Sequence, residues 1–123
     1  MTLASLTDAS VIFYSVNFIN GIDVSDIEIR LKRSMRALLD SQSPKHKRLA
    51  KGIKAYNKLD LNSITAEVRS LIESTMASSN DILGKYDIET FDDYRKISNS
   101  DLNFMIETHI KLCNDIKSEL QHT

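Results

Sequence analysis

The sequence predicts an all-α fold, a compact single-domain bundle of five to six amphipathic helices spanning residues 1–123. Three observations point there. Breakers are scarce, with three Gly and one Pro in 123 residues, whereas a sandwich or barrel needs a turn signal about every 8–12 residues. Apolar residues recur in steps of three and four along most of the chain, the period of a helix with one buried face. Ser, Thr, Asp or Asn stands just ahead of each periodic run, where a side-chain oxygen can satisfy an orphan amide. One core suits the length, since a chain of this size removes roughly two-thirds of its unfolded surface from water on folding.

The first element carries the apolar run VIFYSVNFI at 11–19 and meets Asn20-Gly21, a pair that suits either a hairpin tip or a helix end. A hairpin fails on parity. Ile22 and Val24 are even, whereas Ile27, Ile29 and Leu31 are odd, and a one-residue slip turns side chains to the opposite face. A helix has no such conflict, because Val24, Ile27, Leu31, Met35 and Leu38 keep helical spacing. Gly21 is therefore read as a left-handed residue closing the first helix, with Ile22 folding back on its last turn. Ser25 and Glu28 then form a capping box that opens the second.

Ser43-Pro44 predicts an N-cap followed by proline at the first helical position, stopping the second helix and starting a third whose apolar face is Leu49, Ile53 and Tyr56. A fourth begins at Asp60 or Asn62 and carries Ile64, Val68, Leu71, Ile72 and Thr75 as far as Gly84. Thr90 and Asp93 mark a short helix around Phe91, Tyr94 and Ile97. Ser98 or Ser100 caps the longest helix, which stacks Leu102, Met105, Ile106, His109, Leu112, Cys113, Ile116 and Leu120 on one stripe. Ile29 and Phe104 fall on the outward sides of their helices. Together with Ile110 and the aromatics Phe13, Tyr14 and Phe18, Phe104 suggests an interface with a partner or a second copy.

Net charge is −1, but the charges are segregated. Residues 1–29 hold four acidic side chains and no Lys or Arg; residues 30–58 hold ten basic side chains against Asp40 alone; residues 59–123 hold twelve acidic and six basic. Lys47, Lys51, Lys54 and Lys58 fall within about 60° of one another on a helix, opposite its apolar face. Arg30, Arg33, Arg36 and Lys32 similarly leave the apolar face of the preceding helix. Like charges at i, i+4 cost about 0.2–0.5 kcal/mol per pair, so an anion outside this hairpin is expected to help. Its sources are solvent and salt, the chain's own acidic stretch (Asp81, Asp87, Glu89, Asp92, Asp93), or an external partner.

The residues expected to bind that partner are Arg30, Arg33, Arg36, Lys45, Lys47, Arg48, Lys51, Lys54 and Lys58. Residues 30–58 have the dimensions of a helix-turn-helix, with Lys45, His46, Lys47 and Arg48 crowding the start of what would be a recognition helix. The usual turn glycine is missing, and few Asn or Gln side chains are placed there to read bases.

Enzyme chemistry finds no purchase. His109 and Cys113 share one helix face at i, i+4, but a metal needs further ligands and only His46 and His122 remain among the histidines, so both are read as core residues. Cys-His nucleophilic catalysis lacks a third orienting group. Asp92-Asp93 and Asp87-Glu89 suit surface charge better than acid-base work, adjacent helix positions pointing about 100° apart. No phosphate-loop, dinucleotide, metalloprotease or nucleophile-elbow string occurs. No cofactor and no metal are expected.

The single Cys113 forms no intrachain disulfide, and residues 11–19 are too short to span a bilayer and lack the basic flank of a secretory signal. A cytoplasmic protein with no membrane partner is therefore expected. The function expected is a non-enzymatic regulator that occupies an acidic protein surface, as inhibitors, antitoxins and immunity proteins do. The alternative is a nucleic-acid-binding regulator that contacts phosphates through the same hairpin. Segregated charges of opposite sign also allow a homodimer.

Overall fold

The computed structural model describes residues 24–121, and over them the protein is an all-α bundle. Four α-helices, α1 (Val24–Leu38), α2 (Lys45–Lys54), α3 (Ala66–Leu83) and α4 (Asn99–Gln121), are joined by two 3-10 helices, η1 (Leu61–Ser63) and η2 (Phe91–Lys96). The expected helix ending at Gly21, its aromatics Phe13, Tyr14 and Phe18, and His122 lie outside the described residues.

The long helix α4 is the centre of the bundle, packing against α1, α2 and α3, while α1 lies on α2 and η2 closes over α2. Its stripe Leu102, Met105, Ile106, His109, Leu112, Cys113 and Ile116 is buried, as the spacing requires. Against it lie Ile27, Leu31 and Leu38 of α1, Leu49 of α2, Tyr56 just beyond it, and Val68 and Ile72 of α3. Each such side chain removed from water contributes about 1.5–3 kcal/mol, so this stripe, rather than intrinsic helix propensity, holds the bundle together.

Caps explain most helix starts. The Thr65 hydroxyl accepts from Val68 N at 3.2 Å to open α3, and Ser98 Oγ accepts from Asp101 N at 3.2 Å to open α4. Asp93 reaches back to the amides of Glu89 (2.9 Å) and Thr90 (3.0 Å), which fixes η2; those two donors hold its carboxyl below the usual carboxylate range. The Tyr86 hydroxyl donates to Asp101 at 2.6 Å and accepts from Ser98 N at 3.1 Å, tying the α3–η2 connection to the start of α4.

Helix α1 is described from Val24, so the opening of that helix lies at the edge of the described residues. Three local expectations change. Pro44 occupies the N-cap of α2 with extended ψ 150 instead of the first helical position. The reason is Asp40, whose carboxylate takes the Ser43 hydroxyl (2.8 Å) and the Gln42 amide (3.1 Å) in a tight turn and so removes Ser43 from capping. Asp60 caps the 3-10 turn η1 by accepting from Asn62 N, leaving Thr65 to open α3. Finally, α2 ends at Lys54; the chain tightens to i, i+3 bonds through Tyr56 and Asn57, and Lys58 takes φ 62, which no helix continues.

A basic groove between the first two helices

Helices α1 and α2 run antiparallel and approach closely because Gly52 has no Cβ. A Cβ built there would stand 2.7 Å from Leu38 Cδ2. At the crossing, the buried Ser34 hydroxyl donates to Gly52 O at 2.8 Å. That carbonyl needs a partner, since the tightened last turn sends Tyr56 N to Ile53 O instead.

Two arginines complete the hairpin reciprocally. Arg30 of α1 donates through Nη1 to Ala55 O (3.1 Å) and Asn57 O (2.6 Å), past the end of α2, while its Nε bonds Asp26 at 3.1 Å. Arg48 of α2 donates through Nε (2.9 Å) and Nη2 (2.7 Å) to Leu38 O, the last residue of α1. Each helix thus supplies a cation to the carbonyl end of the other, where the helix dipole favours positive charge.

Beside this seam opens a groove of about 570 Å³ lined by Arg30, Arg33, Arg36, Asp40, Lys51 and Lys54, with Ala37, Ala55 and Asn57 supplying apolar and backbone wall. Among the described residues five cations therefore line the groove with one carboxylate, and Arg30, one of the five, is already paired with Asp26. Asp40 is already committed to its own turn, where hydrogen bonds from Ser43 and then Gln42 hold its carboxyl below the ordinary value, with smaller contributions from Lys51 and Arg48. Arg33, Arg36, Lys51 and Lys54 have no ion-pair partner among the described residues.

The nine residues expected to bind a partner are thereby sorted. Arg30, Arg33, Arg36, Lys51 and Lys54 meet around the groove, Arg30 doing so while bonded to the hairpin. Arg48 is bound to Leu38 O. Lys45 donates to Asn99 Oδ1 at 3.1 Å. Lys47 is exposed on α2 away from the groove. Lys58, past the helix end, stands beside an apolar pocket instead of continuing the ridge.

Within the described residues the acidic stretch does not reach the groove. Asp93 binds its own turn and Lys96 at 3.4 Å, and Asp87 offers its backbone carbonyl to Lys96. Asn57 is the groove residue that sequence reading missed; nothing in a lone Asn after a basic run signals that its carbonyl will anchor Arg30.

His109 and Cys113 are buried on α4, as their spacing suggested. His109 Nε2 lies 2.7 Å from Ser79 Oγ, and burial pushes its pKa down to about 4. The Cys113 thiol lies 3.4 Å from the Tyr56 hydroxyl, whose pKa burial and the neighbouring thiol raise. Among the described residues no three His, Cys, Asp or Glu side chains cluster as metal ligands, and no helix is long and apolar enough to cross a membrane.

Ile29 and Phe104 are exposed as expected, while Ile110 is half-buried against the core. Comparison of the chain with protein-family models, with curated proteins and with solved structures finds no match.

Proposed function

We propose that this protein is a non-enzymatic regulator that acts by occupying an acidic surface of a partner protein, in the manner of an inhibitor, antitoxin or immunity protein. The observation that carries this reading is the groove itself: among the described residues five cationic side chains, of which Arg30 is paired with Asp26, line it with one carboxylate, and that carboxylate is engaged in its own turn. Like charges held together on adjacent helices destabilise the free protein, and an acidic ligand entering the groove relieves that repulsion while it binds. The mechanism is recognition without turnover. Charge steers the partner to the groove, and the apolar wall of Ala37 and Ala55 lets carboxylates approach guanidinium groups partly shielded from water.

Two features favour a protein ligand over duplex nucleic acid. Lys45 and Arg48, at the start of the helix that a helix-turn-helix protein would insert into the major groove, are hydrogen-bonded within the fold. The remaining cations come from both α1 and α2 and line one open depression between them instead of a single helix face.

The test is a pull-down from the native host with the full chain and with a variant carrying Arg33→Glu, Arg36→Glu, Lys51→Glu and Lys54→Glu, alongside gel shifts on an arbitrary duplex. One stoichiometric protein retained by the unaltered chain and lost by the variant is the expected result. An empty pull-down together with a duplex shift would overturn it in favour of phosphate binding; five phosphate contacts weaken duplex affinity by roughly two to three orders of magnitude between 50 and 200 mM salt. Sedimentation at low and high salt tests whether a second copy is the acidic partner: self-association lost at high salt is the signature of pairing between opposite charges.

A further inference from the structure

The basic groove has a neighbour. Across Asn57, which lines both, lies an apolar pocket of about 290 Å³ walled by Ile53, Leu59, Leu61, Met76 and Phe91, with Lys58 beside them. Its walls come from the end of α2, the connection into η1, and from α3 and η2, so it forms only when the bundle closes. Phe91 remains 38% exposed there, although an aromatic ring gains by full burial.

The wall between groove and pocket is held in place, because the Asn57 carbonyl is bonded to Arg30 at 2.6 Å. The next residue, Lys58, adopts φ 62, a left-handed conformation that glycine takes without cost and lysine does not. That conformation sets the Lys58 cation beside the apolar pocket, off the ridge of α2 and next to Asn57, which the pocket shares with the groove.

From this continuity we propose that the partner is read through a bipartite segment: a run of carboxylates lying in the α1–α2 groove, followed or preceded at short spacing by one bulky apolar side chain that enters the pocket under Phe91. The inference rests on the acidic-partner reading and adds its specificity. Carboxylates alone are found on many surfaces and give steering; the anchor discriminates among them, because an apolar side chain withdrawn from water into a pocket dominates binding while its charged surroundings set orientation. Lys58 bridges the two parts by meeting the last carboxylate before the anchor.

The test is fluorescence anisotropy at low ionic strength with the full chain and four labelled peptides: hexaglutamate joined through two glycines to Phe or to Ser, each in both orders. In one order the Phe peptide is expected to bind about tenfold or more tightly than its Ser counterpart, the scale set by burying one large apolar side chain. Phe91→Ser should remove that gain while leaving the Ser peptide's affinity unchanged, and Lys58→Gly should weaken the Phe peptide several-fold without loss of fold. Equal affinity for Phe and Ser peptides in both orders overturns the anchor and leaves the groove reading standing. Absence of binding by all four overturns the groove reading and the anchor with it. The peptide comparison uses the unaltered protein, so it decides the matter even if a variant misfolds.

Discussion

The Nε2 of His109 lies 2.7 Å from the Ser79 hydroxyl, joining α4 to α3 inside the core, while Nδ1 of the same ring has no hydrogen-bond partner among the described residues. Nothing near it favours a proton, and burial alone holds the pKa at about 4, below the ordinary 6.5. Above about pH 6.5 both folded and unfolded states are neutral at this residue, and stability is complete. As pH falls below that value the unfolded chain takes up a proton that the folded chain refuses, so stability declines until about pH 4 and then levels off. The expected loss is about 2 kcal/mol between pH 7 and pH 5, read as a drop in urea midpoint. Asp40 and Asp93, both held below the ordinary value of 3.8, lose their contributions only at lower pH. His109→Leu should flatten the pH 5–7 profile; an unchanged slope in that variant refutes the assignment.

Gly52→Ala is expected to destabilise although alanine is the better helix former. The added methyl meets Leu38, which is fully buried and has no free direction to retreat. A gain of about 0.5–1 kcal/mol in helix propensity is outweighed by about 1–3 kcal/mol of overpacking. Thermal melts should show a lower midpoint, and a higher one would mean that the α1–α2 seam is looser than described.

The cations of the hairpin should separate into two classes on substitution. Arg30→Met and Arg48→Met leave carbonyls at helix ends without their donors, and each should cost about 1–3 kcal/mol. Arg33→Gln, Arg36→Gln, Lys51→Gln and Lys54→Gln should leave stability within about 0.5 kcal/mol, the relief of repulsion being offset for Arg36, Lys51 and Lys54 by loss of a cation from the last turn of its helix, while lowering partner affinity. Denaturant titration of the six single variants checks both halves. Larger destabilisation by the second group would show that those side chains serve the fold instead.

Lys58→Gly should raise stability by about 0.5–1 kcal/mol, because glycine adopts φ 62 without the steric cost that lysine bears. A shift in denaturant midpoint of the opposite sign would show that the Lys58 side chain packs favourably enough to offset its backbone strain.

Much of this architecture is legible in the sequence, and for a local reason. The stripes Ile27-Leu31-Leu38 and Leu102 to Ile116, the Thr90-Asp93 pairing and the Ser98 cap each depend on residues within a few positions of one another, where helix periodicity and capping geometry operate. The basic character of residues 30–58 is equally plain from composition. What the tertiary structure alone decided is the destination of each cation. Arg30 and Arg48 read as members of one charged ridge, yet both bind carbonyls exposed by the other helix's end, 25 and 10 positions away for Ala55 and Leu38. Lys58 reads as the ridge's last lysine, yet the chain leaves the helix four residues earlier. A charge pattern specifies which face of a helix meets water, but a guanidinium's partner is set by which orphan carbonyl the neighbouring helix brings within 3 Å. That placement follows from the close approach at Gly52, a packing event that no single helix can encode.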